Sequence, residues 1–429
     1  MSRTKGRDST DSVVAPQPIA REKLAAVVEE VLAATPVLDI HTHLFPAQFV
    51  ELGLWGIDDL LTYHYLEAEL FRFSSIPPQQ YWELSKTARA DLIWRTLFQE
   101  NTPISEAARG VVAVLAALGL DTISETLEPL REYFRRQRLV DYIPRVFALA
   151  GVSAVVMTND PLDPAEAPLW EAAVECDPRF HAVLRLDRIL NEWTDNWAQM
   201  ASNGYAVEAD GGGRTIAELR RFLEDWSARM RPVYMAVSLP DTFQFPGGDL
   251  RTKILREAIL PACQEWSLPL SLMIGVRRQV NPALRLAGDA AGRADLRSIA
   301  ALCREYPENR FLVSVLSREN QHELCVYARK FRNLMPFGCW WFLNNPSIVE
   351  EVTRERLEML GVSFIPQHSD ARILEQVIYK WRNTRRTMLP VLTRSYEMLA
   401  EDGRPVTVDE VRRDVARLFH GNFEHWTNL

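Results

Sequence analysis

The sequence predicts an α/β fold, a single (β/α)8 TIM barrel with a mostly helical insertion after its first strand. Eight short segments rich in apolar and β-branched residues occur along the chain, and helical segments separate most of them. Eight is the number of strands that such a barrel needs. The predicted strands are PVLDI at 36–40 and the segments 152–160, 180–187, 232–240, 268–275, 310–317, 333–341 and 362–370.

Composition and periodicity predict the structure of the segments before and after the first strand. Residues 1–20 combine charge and proline without an apolar signal core, which predicts a disordered lead-in. Residues 21–35 have apolar side chains at helical spacing. From about 54 to 144 the chain is amphipathic and contains many aromatic residues, which predicts the helical insertion. Residues 21–429 are therefore expected to form one barrel domain that includes this insertion.

Composition indicates which classes of partner the protein can have and in which cellular compartment it is expected. The chain has 429 residues and a formal net charge of −8, which argues against a nucleic-acid surface. The longest apolar run, at 110–120, is too short to cross a bilayer. Five cysteines, an odd number without a C-x-x-C pair, are typical of a reducing compartment. We expect a cytoplasmic protein with a small-molecule substrate and without nucleic-acid or membrane partners, and a homo-oligomer is left open.

Two histidines, His41 and His43, directly follow the first predicted strand. In an extended chain, side chains two residues apart project from the same face. Two neutral imidazoles side by side suit one divalent ion, and zinc is favoured among these ions. The alternative is a turn histidine beside a half-buried one. The pair predicts a metal site if a carboxylate follows a neighbouring strand.

Polar side chains also follow the other predicted strands. Asp160 could simply form a turn with Pro161, and Arg185 with Asp187 could be a surface ion pair. Together, however, these side chains would line one mouth of the barrel, which indicates a polar ligand. The set comprises Asn159, Asp160, Arg185, Asp187, Asp241, Arg277, Ser317, Arg318, Asn320, Trp340, Trp341, His368, Asp370 and Arg372.

The segment QHSDAR at 367–372 supplies the carboxylate. Asp370 follows the eighth strand, which lies beside the first strand in a closed barrel, so it can complete a metal site with the two histidines. Arg372 would bring a guanidinium to the same place, where it could stabilise an anionic oxygen. The alternative, that Asp370 caps the helix that follows, stays open at this point.

A His-x-His motif after the first strand and an Asp after the eighth resemble the metal-dependent amidohydrolase superfamily, and within it the uronate isomerases. FGCWWFLNNPS at 337–347 is similar to the family's seventh-strand signature of paired tryptophans followed by Phe and Asn. HSDAR resembles its Thr-Asp-Ser-Arg, MTNDPLD its Thr-Thr-Asp-Asp-Pro, LRLDR its Trp-Arg-Pro-Asp, and YHYLEAEL its segment beginning Asp-His-Tyr. The matches keep their order from residue 37 to about 381.

The resemblance implies a uronate isomerase that interconverts a hexuronate aldose and its ketose through an enediol. The pairs would be D-glucuronate with D-fructuronate, or D-galacturonate with D-tagaturonate. The family's metal-ligand positions match His41, His43 and Asp370, which implies one divalent ion, with zinc favoured. His64 and Tyr65 match a catalytic pair and Arg372 matches the arginine that follows the aspartate, and Asp370 is expected to act as the base. Arg185 and Trp340 or Trp341 match substrate-pocket positions, and Asp241 is also assigned to substrate binding. A packing role in the core of the insertion is the alternative for Tyr65.

Two departures from the family pattern indicate a divergent, shorter subgroup. Larger members carry a histidine at the end of the fifth strand, where this chain has Met273. The family's fourth-strand aspartate has no unambiguous counterpart, and Asp241 is its best placement. The preferred hexuronate is therefore left open.

A single-metal hydrolase or decarboxylase on the same scaffold is the alternative function. Asp370 would then activate a water at the metal. Two-metal hydrolases of the superfamily usually add a lysine after the fourth strand and histidines after the fifth and sixth. No histidine follows those predicted strands here, and His322 falls within a helical segment. A barrel that only binds sugar acids is a third reading, which the base and proton-transfer candidates disfavour.

Overall fold

The computed structural model describes residues 17–429. Most of the predicted lead-in, residues 1–16, therefore lies outside the described residues. Its last residues are extended, and the Ile19 N–H donates to the Val406 carbonyl at 2.8 Å. None of the described helices is long and apolar enough to span a membrane.

The strands are short and follow the predicted order. They form two parallel sheets, one of three strands and one of six, the latter including an antiparallel strand at its side. The third predicted strand is divided between the two sheets. The strands are β1 Val37–Asp39, β2 Val152–Val156 and β3 Phe180–His181 in the first sheet, and β4 Leu184–Arg185, β5 Met235–Pro240, β6 Leu270–Arg277, β7 Ala290–Ala291, β8 Phe311–Val315 and β9 Leu334–Pro336 in the second.

Single backbone pairings join the two sheets. Asn159, beyond β2, pairs with Leu184 of β4, and Ile365 pairs with Phe337 beyond β9. The Asp370 N–H then donates to the carbonyl of His41 at 3.1 Å. The eighth predicted strand, 362–370, is thus an irregular segment. Pro366 within it has no N–H to donate to a strand ladder.

An α-helix precedes β1, and the helices of the insertion between β1 and β2 pack against one another. Helix α6 shows why such a segment begins and ends where it does: the Ser105 hydroxyl accepts the N–H of Ala108, and Gly119 ends the helix at φ 74°. These helices are α1 Leu24–Ala34, α2 Ile57–Leu61, α3 His64–Phe73, α4 Pro78–Glu83, α5 Lys86–Trp94, α6 Glu106–Leu118 and α7 Glu128–Arg135.

The remaining helices include those that follow the barrel strands. The first of them, α8, contacts β2 and runs past the predicted end of the insertion at about 144. They are α8 Leu139–Ala150, α9 Ala167–Glu171, α10 Asp187–Leu190, α11 Trp193–Ser202, α12 Thr215–Met230, α13 Leu250–Ile254, α14 Leu260–Glu265, α15 Arg297–Glu305, α16 Gln321–Ala328, α17 Pro346–Leu360, α18 Gln376–Glu401, α19 Val408–Ala416 and α20 Asn422–Thr427.

The core has an inner and an outer layer. The inner layer collects buried side chains from the strands of both sheets, and Phe423 of α20 packs against Tyr234 with the ring centroids 5.9 Å apart. Met273 belongs to this inner layer and is 1% exposed. The outer layer lies between strands and helices. Burial of an apolar side chain of this kind contributes about 1.5–3 kcal/mol, so Met273 serves packing here.

Candidate active site

His41, His43 and Asp370 converge where the first strand meets the eighth segment. The Nε2 atoms of His41 and His43 lie 3.6 and 3.3 Å from Asp370 Oδ1. Ligand atoms about 3.3 Å apart are what metal bonds of about 2.0–2.1 Å at tetrahedral angles require. Asp370 Oδ1 is buried and has no hydrogen-bond partner within residues 17–429. The three side chains therefore fit one divalent ion, and they are the one such cluster found in that range.

Two hydroxyl groups orient the histidines from behind. Thr158 Oγ1 lies 2.8 Å from Nδ1 of His43, and the Tyr234 hydroxyl lies 3.4 Å from Nδ1 of His41. Both hydroxyls donate their own proton to a backbone carbonyl, at 3.2 and 2.7 Å. They are therefore free to accept from Nδ1–H, which leaves the lone pair of each imidazole on the Nε2 atom that faces Asp370. We infer this tautomer from the hydrogen bonds.

Asp370 is held in an unusual backbone conformation. Its φ is +50°, which is rare for a residue with a Cβ. Backbone bonds hold it on both sides: its N–H donates to His41, and the His43 N–H donates to the Ala371 carbonyl at 2.7 Å. The first strand thus positions the carboxylate as well as the imidazoles. Strain of this kind is commonly retained at functional sites.

Asp39 of β1 adds a side-chain anchor to the same joint. Its Oδ1 accepts the Ser369 N–H at 3.0 Å, and its Oδ2 accepts the indole N–H of Trp381 at 2.8 Å. Asp39 is fully buried, so both carboxylate oxygens depend on these donors. One side chain therefore joins β1, the segment that carries Asp370, and helix α18.

The protonation states suit cation binding. Burial, and then the charge of Arg372, lower the pKa of His43 to about 4. Burial opposes the negative charge of Asp370, but the adjacent imidazoles of His43 and His41 hold its pKa below the usual range. Neutral imidazoles beside an ionised carboxylate are the forms that bind a metal.

His64 and Tyr65 lie at the start of α3 and face the barrel through a tryptophan. The His64 ring centroid is 4.6 Å from that of Tyr65 and 5.6 Å from that of Trp341. Burial, followed by the charge of Arg372, lowers the pKa of His64 to about 3. Its Nε2 atom is buried and has no partner in the described part of the chain. The insertion therefore presents a neutral, unpaired imidazole nitrogen.

Both paired tryptophans are buried in the inner core layer. Trp341 has φ +46° and also stacks on Phe342 at 4.6 Å. The preceding Gly338 is required by close approach, because a Cβ there would lie 1.9 Å from the His368 ring. Both nitrogens of His368 are buried without a partner among residues 17–429.

The guanidinium groups of Arg185 and Arg372 differ in their hydrogen-bond partners. The Nε and Nη2 atoms of Arg185 donate to Asp187 at 2.8 and 3.1 Å. Burial disfavours the Arg185 charge, but Asp187 outweighs burial and raises its pKa above the ordinary value. The guanidinium of Arg372 has no hydrogen bond or ion pair within 17–429, and only its backbone N–H is bonded, to Gln376 at 3.0 Å.

Asp241 lies at the rim, just beyond β5. Its carboxylate forms an ion pair of 2.5 Å with Arg277, a side chain that is 57% exposed. No contact joins Asp241 to the metal-ligand candidates in the described residues. Its match to the family's fourth-strand aspartate thus stays a prediction.

Comparison with known proteins agrees with this geometry. No family model matches the sequence, and no curated protein matches it. The structure is similar to a uronate isomerase from Bacillus halodurans C-125, with 49% identity, a TM-score of 0.94, and coverage of 96% of this chain and 98% of that one. The fold is also similar to a uronate isomerase from Thermotoga maritima at 17% identity (TM-score 0.75, coverage 96% and 98%) and a glucuronate isomerase from Caulobacter crescentus at 16% identity (TM-score 0.63, coverage 96% and 95%). With half of its residues identical to the first over nearly the whole length, the chain belongs to the uronate isomerase family.

Proposed function

We propose that this protein is a uronate isomerase that interconverts a hexuronate aldose and its ketose by proton transfer through an enediol. The observation that carries the proposal is that Asp370 lies 3.3 Å from His43, on which the charge of Arg372 also acts, in a chain that is 49% identical to a uronate isomerase over 96% of its length. A base and a cation are what removal of a carbon-bound proton beside a carbonyl requires.

Each step of the reaction is assigned to a different residue or pair of residues. Asp370 takes the proton from C2 of the open-chain aldose, and Arg372 stabilises the negative oxygen that develops. Tyr65 and His64 transfer the hydroxyl protons, one to the C1 oxygen and one from the C2 oxygen. Return of a proton to C1 then completes the ketose. A bound divalent ion would supply polarisation of the substrate oxygens.

Substrate binding is assigned to the remaining mouth residues. Arg185 would bind the carboxylate at C6, because its guanidinium is oriented by Asp187 and its Nη1 atom donates to no residue in 17–429. Trp341 would supply an apolar face beside His64. Trp340 supports it from the inner core, and Asp241 closes the rim through Arg277.

The bound ion is proposed to be zinc, on two imidazole nitrogens and one carboxylate oxygen. Elemental analysis of the purified protein and of the His41→Ala/His43→Ala double variant tests this. One equivalent of zinc in the parent, with loss of metal from the variant, is expected. Equal metal content in the two proteins, or a different resident metal in the parent, would contradict the proposal.

The setting of the enzyme is also a proposal. Residues 21–429 would form one metal-dependent domain. The cysteines are free thiols and four of them are buried, which is compatible with a reducing cytoplasm.

Incubation with D-glucuronate and with D-galacturonate in deuterium oxide, followed by proton NMR, tests the reaction. We expect ketose signals and solvent deuterium at C1 of the product, because the proton passes through a base that exchanges with solvent. Folded, metal-loaded protein that converts neither acid would overturn the proposal and favour the hydrolase or decarboxylase.

A further inference from the structure

A buried lysine lies next to the proposed proton-transfer residues. Lys380 belongs to α18, and its side chain is 6% exposed. Its ion-pair partner within residues 17–429 is Glu106 of α6, with Nζ 3.9 Å from Oε1. That separation is the upper limit for an ion pair and too long for a strong hydrogen bond. A buried ammonium with such a distant carboxylate is costly, so an apolar side chain of similar length would pack there at lower cost.

Two tyrosine rings complete the surroundings of the ammonium. Nζ lies 5.5 Å from the ring centroid of Tyr65 and 5.3 Å from that of Tyr379. Both distances fall within the range of cation–π attraction, which strengthens when the cation is desolvated. A small polar cavity lined in part by Glu106, Gln367 and Thr384 borders the lysine, which helps the charge to survive burial. The lysine thus joins the barrel helix α18, the insertion helix α6 and the ring of Tyr65.

We propose that Lys380 is a positioning residue for the isomerisation: anchored by Glu106, its ammonium holds the Tyr65 ring in place and favours negative charge on the phenol oxygen during proton transfer. The inference rests on the proposed function, in which Tyr65 transfers a hydroxyl proton. Lys380 itself does not need to touch the substrate.

The charges around Tyr65 explain why a cation is needed there. Burial raises the pKa of Tyr65 well above its ordinary value, and Tyr63, Asp370, Tyr379 and Glu106 raise it further. A phenol in these surroundings releases its proton only with difficulty. Lys380 places a cation against the ring, and its charge also contributes to lowering the pKa of His64, after burial and Arg372.

Two substitutions of the lysine test the proposal. Lys380→Met keeps the length and removes the charge, whereas Lys380→Arg keeps the charge. We expect Lys380→Met to lower kcat about tenfold with KM within about twofold, and to move the alkaline limb of the kcat–pH profile upward. Lys380→Arg should recover part of the rate. Arg382→Met is the matched control, because it removes an exposed positive charge from the same helix, and it should behave as the parent.

An unchanged kcat in Lys380→Met, or a rise in KM alone, would overturn the proposal. If Lys380→Met does not fold, Lys380→Gln replaces it: this variant also removes the charge but keeps a polar side chain, and an unchanged kcat and pH profile would count against the role of Lys380.

A readout that needs no turnover separates the inference from the proposed function. Alkaline ultraviolet titration of the parent and of Tyr65→Phe isolates the ionisation of Tyr65. The titration is then repeated with Lys380→Met and the Lys380→Met/Tyr65→Phe double variant. The ionisation of Tyr65 should now occur at higher pH, and an unchanged ionisation would contradict the inference. Parent protein that converts no hexuronate would count against the isomerase function alone.

Discussion

The two sides of the active-site mouth are built in different ways. On the barrel side, His41, His43 and Asp370 are fixed by backbone hydrogen bonds across the joint and by the Asp39 carboxylate. On the insertion side, the contacts of His64 are with aromatic rings, and its Nε2 has no partner in the described residues. Ligands of one ion must be placed to within a few tenths of an ångström, so directional bonds suit them.

Ring contacts tolerate small displacements, which suits groups that must approach a substrate from above. The barrel side therefore holds its side chains in fixed positions, whereas the side chains of the insertion can shift slightly. If this division is correct, substitutions on the barrel side should change metal binding, whereas substitutions on the insertion side should change the rate and leave the metal in place.

The largest effect is expected for Asp370→Asn. The amide is no base, so kcat should fall by at least about a thousandfold. The loss of an anionic ligand should also weaken metal binding, and metal content must be measured together with the rate. Retention of more than about a tenth of the parent kcat in a protein that still binds metal would move the base to another residue.

The next largest effect is expected for Tyr65→Phe. The ring and its contacts with His64 and Lys380 remain, but the proton is lost, so kcat should fall about a hundredfold. Bound metal and unfolding midpoint should equal those of the parent, and this is the point that distinguishes the two sides. A normal rate with an intact fold would reduce Tyr65 to a packing residue.

The comparison also shows what sequence reasoning can reach. The order of the strands and the meeting of His41, His43 and Asp370 were predictable, because strand periodicity and barrel closure are enough to place them. The irregular eighth segment was not, because hydrophobic pattern does not report a missing donor at Pro366 or the positive φ of Asp370.

The supporting residues were harder to predict still. Asp39 and Trp381 are 342 positions apart, and neither belongs to a motif with a known spacing. Thr158 and Tyr234 were missed as the partners of the histidines, although Thr158 lies in the quoted segment MTNDPLD. Such contacts depend on which side chains the completed fold brings together, and single-sequence patterns carry little of that information.

Asp39→Asn should have a smaller effect that is confined to the barrel side. Asparagine has one acceptor oxygen, so either the Ser369 N–H or the Trp381 indole N–H loses its partner. Metal affinity should fall about tenfold to a hundredfold, as for other groups that orient ligands. Competition with a chromophoric chelator measures this, and Trp381→Phe is the control that spares the bond to Ser369. Equal affinities in the parent and Asp39→Asn would contradict the anchoring role.

The smallest effect is expected for a substitution of Glu375. Its carboxylate accepts the N–H of Gly56 at 3.1 Å, and we call this contact between the barrel and the insertion the seam. Burial raises the pKa of Glu375 from its ordinary value of 4.5 to about 7. Between these two values the folded state binds the extra proton, so the contribution of Glu375 to stability is complete below 4.5 and is lost as the pH rises through about 7.

Glu375→Gln resembles the protonated side chain at every pH, and it should remove this loss. Relative to the parent, the variant should therefore gain about 1–3 kcal/mol in the free energy of unfolding between about pH 5 and about pH 8. Urea unfolding at the two pH values measures the difference, with Glu51→Gln, an exposed carboxylate just before the insertion, as the control. A parent and variant that lose stability in parallel would show that the seam tolerates the ionised carboxylate, and the insertion would then be joined to the barrel more loosely than its buried contacts indicate.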